Sequence, residues 1–545
     1  MILLGLIERS SSADHFIEFG TKIRLFSLIL TGLWILIGFS ILFLRRNRSN
    51  AIDQADKFAR SMLLLMGMAG AFIFLVISLK TIAYPFGLNY VDGTNLFCTE
   101  TVRSFQPLYR DFRNAGPPYI ISGYFPLYYW ITGLISRLFQ YSDLTFARTF
   151  GCLVIIACSV IIGQIVYSQT KQRTISVICA LLFLSFEPIQ RWGAQNRTDS
   201  LSLLFNLLGI FFFQRYIFFR QRGLTASAIC LFLGILSKQS LVTAVLTCSI
   251  SAIVYLDRQK TVKWFLTLLI PLFVVFVGLN ILTHNGFYLS TVIAPSFPFS
   301  WEFKFTPLLK ILISDPQAVL LIIWASVACF LRKSNIFFST FFIISVLIML
   351  GSIGRVGAST NYFFELLTGT ILIFGISIKS FIKNIRTIVS VLLAYSIGFN
   401  LLLGSEYHLL RSRSRLKTNL QCQQEKVLDS ITENTTEDEL VLSDDVTNIF
   451  LAKRQIFSND PWSLGILIRQ GKIDGVKISR EISSGFVGTV ILHQSISQLA
   501  KNSTKYTGWP KELTDPVIQN FTLFKTVPTH SDTLYIYKYS GETAI

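Results

Sequence analysis

The sequence predicts an α-helical polytopic membrane protein of about 12 spans that ends in an extracytoplasmic α/β domain. Three observations carry this. The chain is 52% hydrophobic and 14% aromatic over 545 residues, with a mean hydropathy of +0.54, which is too apolar for a soluble protein of this size. Apolar runs of near-bilayer length recur from residue 22 to residue 404. After Gly404 the composition turns into that of an ordinary soluble chain. The 49 Lys and Arg against 31 Asp and Glu leave a net charge of +18, which in a soluble protein would point to nucleic acid. Here the basic residues sit in short clusters between apolar runs, so they are loop charge and nucleic-acid binding is excluded.

A span needs ~20 apolar residues to cross ~30 Å of hydrocarbon. Such runs lie at about 22–44, 61–80, 146–167, 174–189, 200–219, 224–237, 241–256, 264–283, 317–331, 336–352, 362–378 and 387–404. Met1 to Lys22 lacks the apolar core of a cleavable signal, so the first run is expected to stay. Lys and Arg bias sets the orientation. One set of alternate loops (45–60, 168–174, 220–222, 257–263, 332–333, 379–386) holds about 17 basic residues in roughly 43 positions, and the opposite set about 9 in roughly 103. The first set is therefore cytoplasmic, and the loop from 81, the segment 188–199, Lys238-Gln239, the loop 284–316, Gly351 to Asn361 and the tail face outward. This requires Phe125 to Phe139 to lie on the outer surface, which its Tyr and Trp residues suit. It also requires 224–256 to be a tight hairpin, with Lys238 at the outer tip and spared the ~2.5–3.5 kcal/mol cost of a mid-membrane lysine.

The domains follow as 1–404, membrane-embedded with a first outer loop at about 81–145, and 405–545, soluble. In the latter, Glu439 to Ser443, Phe486 to Leu492 and Thr533 to Tyr539 read as strands, and Val446 to Ala452 and Ser463 to Gln470 as helices. Six of the eight cysteines fall in apolar runs, where a free Cys behaves as a small hydrophobe. Cys98 and Cys422 lie in polar segments on the same side, which leaves a bridge between them open. The five histidines share no ligand spacing.

The polar stretches on the outer side carry motifs. Behind Asp92-Gly93 come Pro107-Leu-Tyr-x-Asp111-Phe112 and Tyr124-x-Pro-Leu-Tyr128. Then follow Arg191-Trp-Gly-Ala-Gln-Asn-Arg197-Thr-Asp199, Gly234-Ile-Leu-Ser-Lys238-Gln239, Gly354-Arg355-Val-Gly-Ala-Ser-Thr-Asn361-Tyr362, Leu442-Ser-Asp-Asp445 and Ser458-Asn-Asp460-Pro461. In this order they resemble the GT-C membrane glycosyltransferases, of the bacterial family 39-like type that includes protein mannosyltransferases and aminoarabinose transferases. Within these the acid-Gly branch is the nearest, and the resemblance covers about positions 84 to 490. It implies a GT-C-like fold and an inverting transferase in the plasma (inner) membrane. Such an enzyme takes a sugar from a polyprenyl-phosphate donor and passes it to a glycan or lipid acceptor outside, building an envelope glycan or glycolipid.

That chemistry needs cations to stabilise the departing phosphate and a carboxylate to take the acceptor's proton. The resemblance places the base at Asp92. Arg197, Lys238 and Arg355 are outer-interface cations suited to a phosphate. Asp199 is placed to orient Arg197 or to meet sugar hydroxyls, and Gln239, Asn361 and Tyr362 complete the motifs. Glu365, inside an apolar run, is an intramembrane carboxylate and so a functional candidate, and Glu100 and Asp111 are further acids of the first loop. Gly93 stands where many relatives carry a second acid, which counts against metal binding by adjacent carboxylates there, and Asp444-Asp445 reads as a strand end; no cofactor is assigned, and a divalent metal stays open without support from the residues. Two other readings share the hydropathy: a catalytically silent relative that binds a glycan or partner, and a lipid-carrier flippase or transporter, which predicts charges at the midplane between matched halves.

Overall fold

The computed structural model describes residues 49–138, 144–400, 418–503, 508–528 and 533–541. The run predicted at 22–44 and the side chain of Cys422, hence the Cys98–Cys422 pairing, lie outside the described residues. Every other predicted apolar run is helical over its described residues, because a segment facing lipid must satisfy its backbone polar groups within itself. Among the described residues five helices are long and apolar enough to cross a membrane: Ile52–Ala83, Leu144–Thr170, Thr198–Phe219, Arg258–Leu282 and Thr360–Ser380. The pair Thr306–Ser314 and Pro316–Phe330, bent by 99°, has the geometry of a broken span or a re-entrant loop. Pro316 ends the first half, lacking an N–H for it, and suits the first turn of the second. The Asp315 carboxylate between them accepts from the backbone N–H of Ala318 (3.0 Å) and of Glu187 (2.8 Å).

The shorter apolar helices Arg173–Ser185, Leu224–Ser237, Thr243–Tyr255 and Ile336–Ser352 complete the bundle. The region 224–256 is a helical hairpin, as its flanking charges require. At its tip Lys238, which caps the first hairpin helix, is 3% exposed, packed against protein rather than out in water, so it needs an internal counter-charge. Leu127–Leu138, at 12 residues or ~18 Å, is too short to cross. It lies against Tyr90–Arg103, where Gly133 lets the backbones approach (an added Cβ would sit 2.9 Å from the Thr99 carbonyl oxygen) and Thr99 and Thr132 share a hydrogen bond of 3.1 Å.

The tail folds around one five-stranded sheet of order β2-β1-β3-β5-β4, made of β1 Leu440–Ser443, β2 Gln455–Ile456, β3 Thr489–Leu492, β4 Phe521–Pro528 and β5 Thr533–Tyr539. β1 runs parallel to β2 and β3, and β5 runs antiparallel to β3 and β4. β1, β3 and β5 fall where alternation and apolar content put them. β2 and β4 went unread, the first because it has two residues and the second because its side chains are mostly exposed.

The tail is stitched to the first outer loop. Tyr119 and Ser458 form a parallel bridge, with the Tyr119 N–H donating to the Phe457 carbonyl (2.8 Å). Asn459, fully buried, accepts from the Ile121 N–H (2.7 Å) while its amide donates to the Ile121 carbonyl (3.3 Å) and to Cys98 Sγ (3.5 Å). Phe112, Tyr119, Ile121 and Leu289 belong to the same apolar cluster as Leu464, Val490 and Trp509 of the tail.

Candidate functional site

A cavity of about 1030 Å³ opens between the first outer loop, the outer ends of the membrane helices and the tail. Arg197, Lys238, Gln239, Arg355, Asn361 and Tyr362 all line it, together with Tyr90, Val91, Thr94 and Asn95 of the first loop. The tail supplies Asp444, Asp460, Trp462, Ser463, Gln494 and Trp509.

The three cations differ in their neighbours. Arg197 caps the start of Thr198–Phe219, and its guanidinium lies 4.3 Å over the Trp192 ring. Its Nε and Nη1 are buried with no hydrogen-bond partner in the described structure. Arg355 stands in the Gly354–Tyr362 loop, held by a backbone bridge to Phe299. Among the described residues neither arginine has a carboxylate at ion-pair distance. Lys238 does: its Nζ donates to Asp199 at 2.6 Å, both side chains being buried, and lies 5.1 Å from the Tyr124 ring and 5.7 Å from that of Tyr362. Asn361 also donates to Asp199 (2.9 Å). Asp199 is thus the counter-charge that the buried lysine demands, in the first turn of its helix rather than at the cap. Gln239 ties the hairpin to the loops by donating to the Gly123 and Thr291 carbonyls, 3.0 Å each.

Asp92 sits in the first turn of Tyr90–Arg103, where an acid favours the helix dipole. It does not face the cavity, although its neighbours at 90, 91, 94 and 95 do. Its Oδ2 accepts from the Leu88 N–H (2.9 Å) and from Arg148 (2.9 Å), a pair 1% and 0% exposed, while its Oδ1 is buried with no partner in the described structure. Arg148 also donates to the carbonyls of Thr81 (3.1 Å), Phe86 (2.8 Å) and Tyr84, so it pins the turn between the membrane helix and the loop. One hydrogen bond joins Asp92 to the second motif: the Asn196 amide donates to the Asp92 carbonyl (3.3 Å), and Asn196 also accepts from Tyr128 (2.7 Å). Polar contacts therefore connect Asp92 to Asn196, and Asp199 to Lys238 and Asn361.

Glu365 does not reach the cavity. It accepts from the N–H and hydroxyl of Thr243, at 3.1 and 2.8 Å, closing the start of the second hairpin helix. Glu100 pairs with Arg103 (2.9 Å), and Asp111 holds a local turn through the Arg113 N–H (3.0 Å) and Asn114 (2.7 Å). Neither lines the cavity.

Gly93 meets the tail. An added Cβ would lie 2.6 Å from the Thr447 backbone nitrogen and 2.7 Å from its Cα, and no backbone contact that short is tolerated. Above the cavity, Asp460 caps Pro461–Arg469: its carboxylate accepts from the Ser463 N–H (2.9 Å), the Ser463 hydroxyl (2.6 Å) and the Tyr90 hydroxyl. Burial pushes the Asp460 carboxyl above its ordinary range, against the hydrogen bonds that pull it down. Asp444 accepts from His493 Nδ1 (2.8 Å) and the His493 N–H (3.0 Å). Among the described residues no group of three or more His, Cys, Asp or Glu is placed to hold a metal ion.

Residues 122–283 match the family model described as dolichyl-phosphate-mannose-protein mannosyltransferase. No curated protein matches the sequence. ArnT from Cupriavidus metallidurans, solved in the apo state, superposes at a TM-score of 0.51 and 12% identity over 87% of this chain and 97% of that one. The oligosaccharyltransferase AglB from Archaeoglobus fulgidus, solved with an inhibitory peptide and a dolichol-phosphate, gives 0.50 and 11% over 89% of this chain and 74% of that one.

Proposed function

We propose that this chain, which has the GT-C membrane glycosyltransferase fold of ArnT and AglB, transfers a sugar from a polyprenyl-phosphate donor to an acceptor on the outer side of the plasma (inner) membrane. The fold and the helices are those of a multi-pass membrane protein and support polyprenyl-linked glycosyl transfer in general. The observation that carries the finer reading is that Arg197 and Arg355, from loops far apart in sequence, line one cavity and among the described residues have no carboxylate at ion-pair distance. Lys238 is neutralised by Asp199, so the two arginines are the charges left for a phosphate.

In this reaction the acceptor hydroxyl attacks the anomeric carbon, its oxygen forms the new bond, and the bond from carbon to phosphate oxygen breaks. One displacement inverts the carbon. The leaving phosphate gathers charge against Arg197 and Arg355, and the hydroxyl proton passes to a carboxylate. Asp92 is the base that the motif proposes; its carboxylate is buried beside Arg148 and does not line the cavity, so this role requires that its Oδ1 be uncovered to the acceptor. Asp460, which faces the cavity directly, is the second candidate.

Arg197→Ala and Arg355→Ala are each expected to lower turnover on the order of 10²-fold in proteoliposomes supplied with radiolabelled polyprenyl-phosphate sugars. Wild-type turnover by both variants would remove the phosphate assignment. The outward orientation is tested by fusing alkaline phosphatase after Ile545: activity is expected, and an inactive fusion beside a fluorescent cytoplasmic reporter at the same position would reverse the topology.

A further inference from the structure

The charges facing the cavity are divided by their origin. Those from the membrane part are cationic, Arg197, Lys238 and Arg355, and those from the tail are carboxylates, Asp444 and Asp460. The tail wall also bears two indoles. The Trp462 ring is held on two sides: its edge fills the space beside Gly357, where an added Cβ would meet it at 2.6 Å and φ is +84°, and it meets Phe297 edge-to-face at 5.1 Å, while the Trp462 backbone N–H donates to the Tyr90 hydroxyl (3.0 Å). Trp509 is 4% exposed and lines the same wall.

We infer that the tail wall is a subsite for an uncharged saccharide, the acceptor of the transfer proposed above, on which reading this inference rests. A sugar ring has an apolar C–H face and a rim of hydroxyls. The preset, partly exposed Trp462 indole offers contact area at small entropic cost, with the buried Trp509 in the same wall. Carboxylates whose positions are already fixed, Asp460 by Ser463 and Tyr90 and Asp444 by His493, accept hydroxyl hydrogens without losing freedom. The same carboxylates repel an acceptor that carries phosphate or uronate groups. The volume, about 1030 Å³, is at the top of the ~300–1,000 Å³ range of small-molecule sites, enough for a sugar on the tail wall beside a phosphate on the membrane wall. The wall therefore selects the acceptor by what it lacks, charge, as much as by ring stacking.

The test is calorimetric titration of the full-length protein in detergent with two kinds of probe. One is a panel of neutral α- and β-linked hexose tetrasaccharides with tetragalacturonate as the charged control, and the other is farnesyl phosphate. At least one neutral tetrasaccharide is expected to bind more tightly than tetragalacturonate. Trp462→Ala is expected to weaken it about tenfold while leaving farnesyl phosphate binding unchanged, which also shows that the variant is folded. Arg197→Ala is expected to do the reverse. Absence of binding by every neutral member, or equal binding of tetragalacturonate, overturns the saccharide subsite. Loss of farnesyl phosphate binding by wild type with saccharide binding intact instead overturns the donor reading and leaves the subsite standing.

Discussion

Asp92→Asn is expected to reduce sugar transfer by about 10²–10⁴-fold, the usual contribution of a positioned base, with membrane insertion retained and stability lowered, because the buried Arg148 loses its counter-charge. The asparagine keeps the shape of the carboxylate and can still accept from the Leu88 N–H, and Arg148 keeps its three carbonyls. What it removes is the capacity to take a proton and the charge that faces Arg148, so turnover is compared per folded protein. The measurement is turnover in proteoliposomes, with Asp460→Asn run beside it. If Asp92→Asn turns over at the wild-type rate while Asp460→Asn does not, the base is the cavity-facing carboxylate of the tail, and Asp92 is a member of the scaffold.

Arg148→Met is the second large effect. It would leave the Asp92 carboxylate, 1% exposed, without its counter-charge, and stranding one partner of a buried pair costs ~3–5 kcal/mol. The variant also abandons three backbone carbonyls of residues 81–86. Thermal unfolding in detergent is expected to show a large loss of stability. The double variant Arg148→Met with Asp92→Asn is expected to regain much of it, because no unpaired charge remains and the two sites are coupled. It stays inactive all the same. A single variant as stable as wild type would mean that the pair is not what fixes the loop.

Much of the fold could be read from residues alone, because lipid leaves the chain few choices: a run of apolar residues becomes a helix, and basic loops sort the two sides. The short hairpin at 224–256 was legible from its flanking arginines. The burial of Lys238 was not, because the counter-charge that makes it tolerable, Asp199, lies 39 residues earlier. Within the site, the motif residues Arg197, Lys238, Gln239, Arg355, Asn361 and Tyr362 do share one cavity. Arg148 went unremarked although it lies two residues inside an apolar run, the same signal that singled out Glu365. Applied evenly, that rule finds the arginine that holds Asp92. Asn459 and Trp462 belong to a soluble-looking tail, where nothing local in the sequence shows that they press against a loop more than 300 residues away.

The contact at Gly93 bears on how the tail is seated. A carboxylate beside Asp92 would have to occupy the place of Thr447's main chain, which, unlike a side-chain tip, has nowhere to swing. In this chain a second acid at position 93 and the tail seated as it is are rival occupants of one volume, so Gly93→Asp would have to lift the tail off the loop.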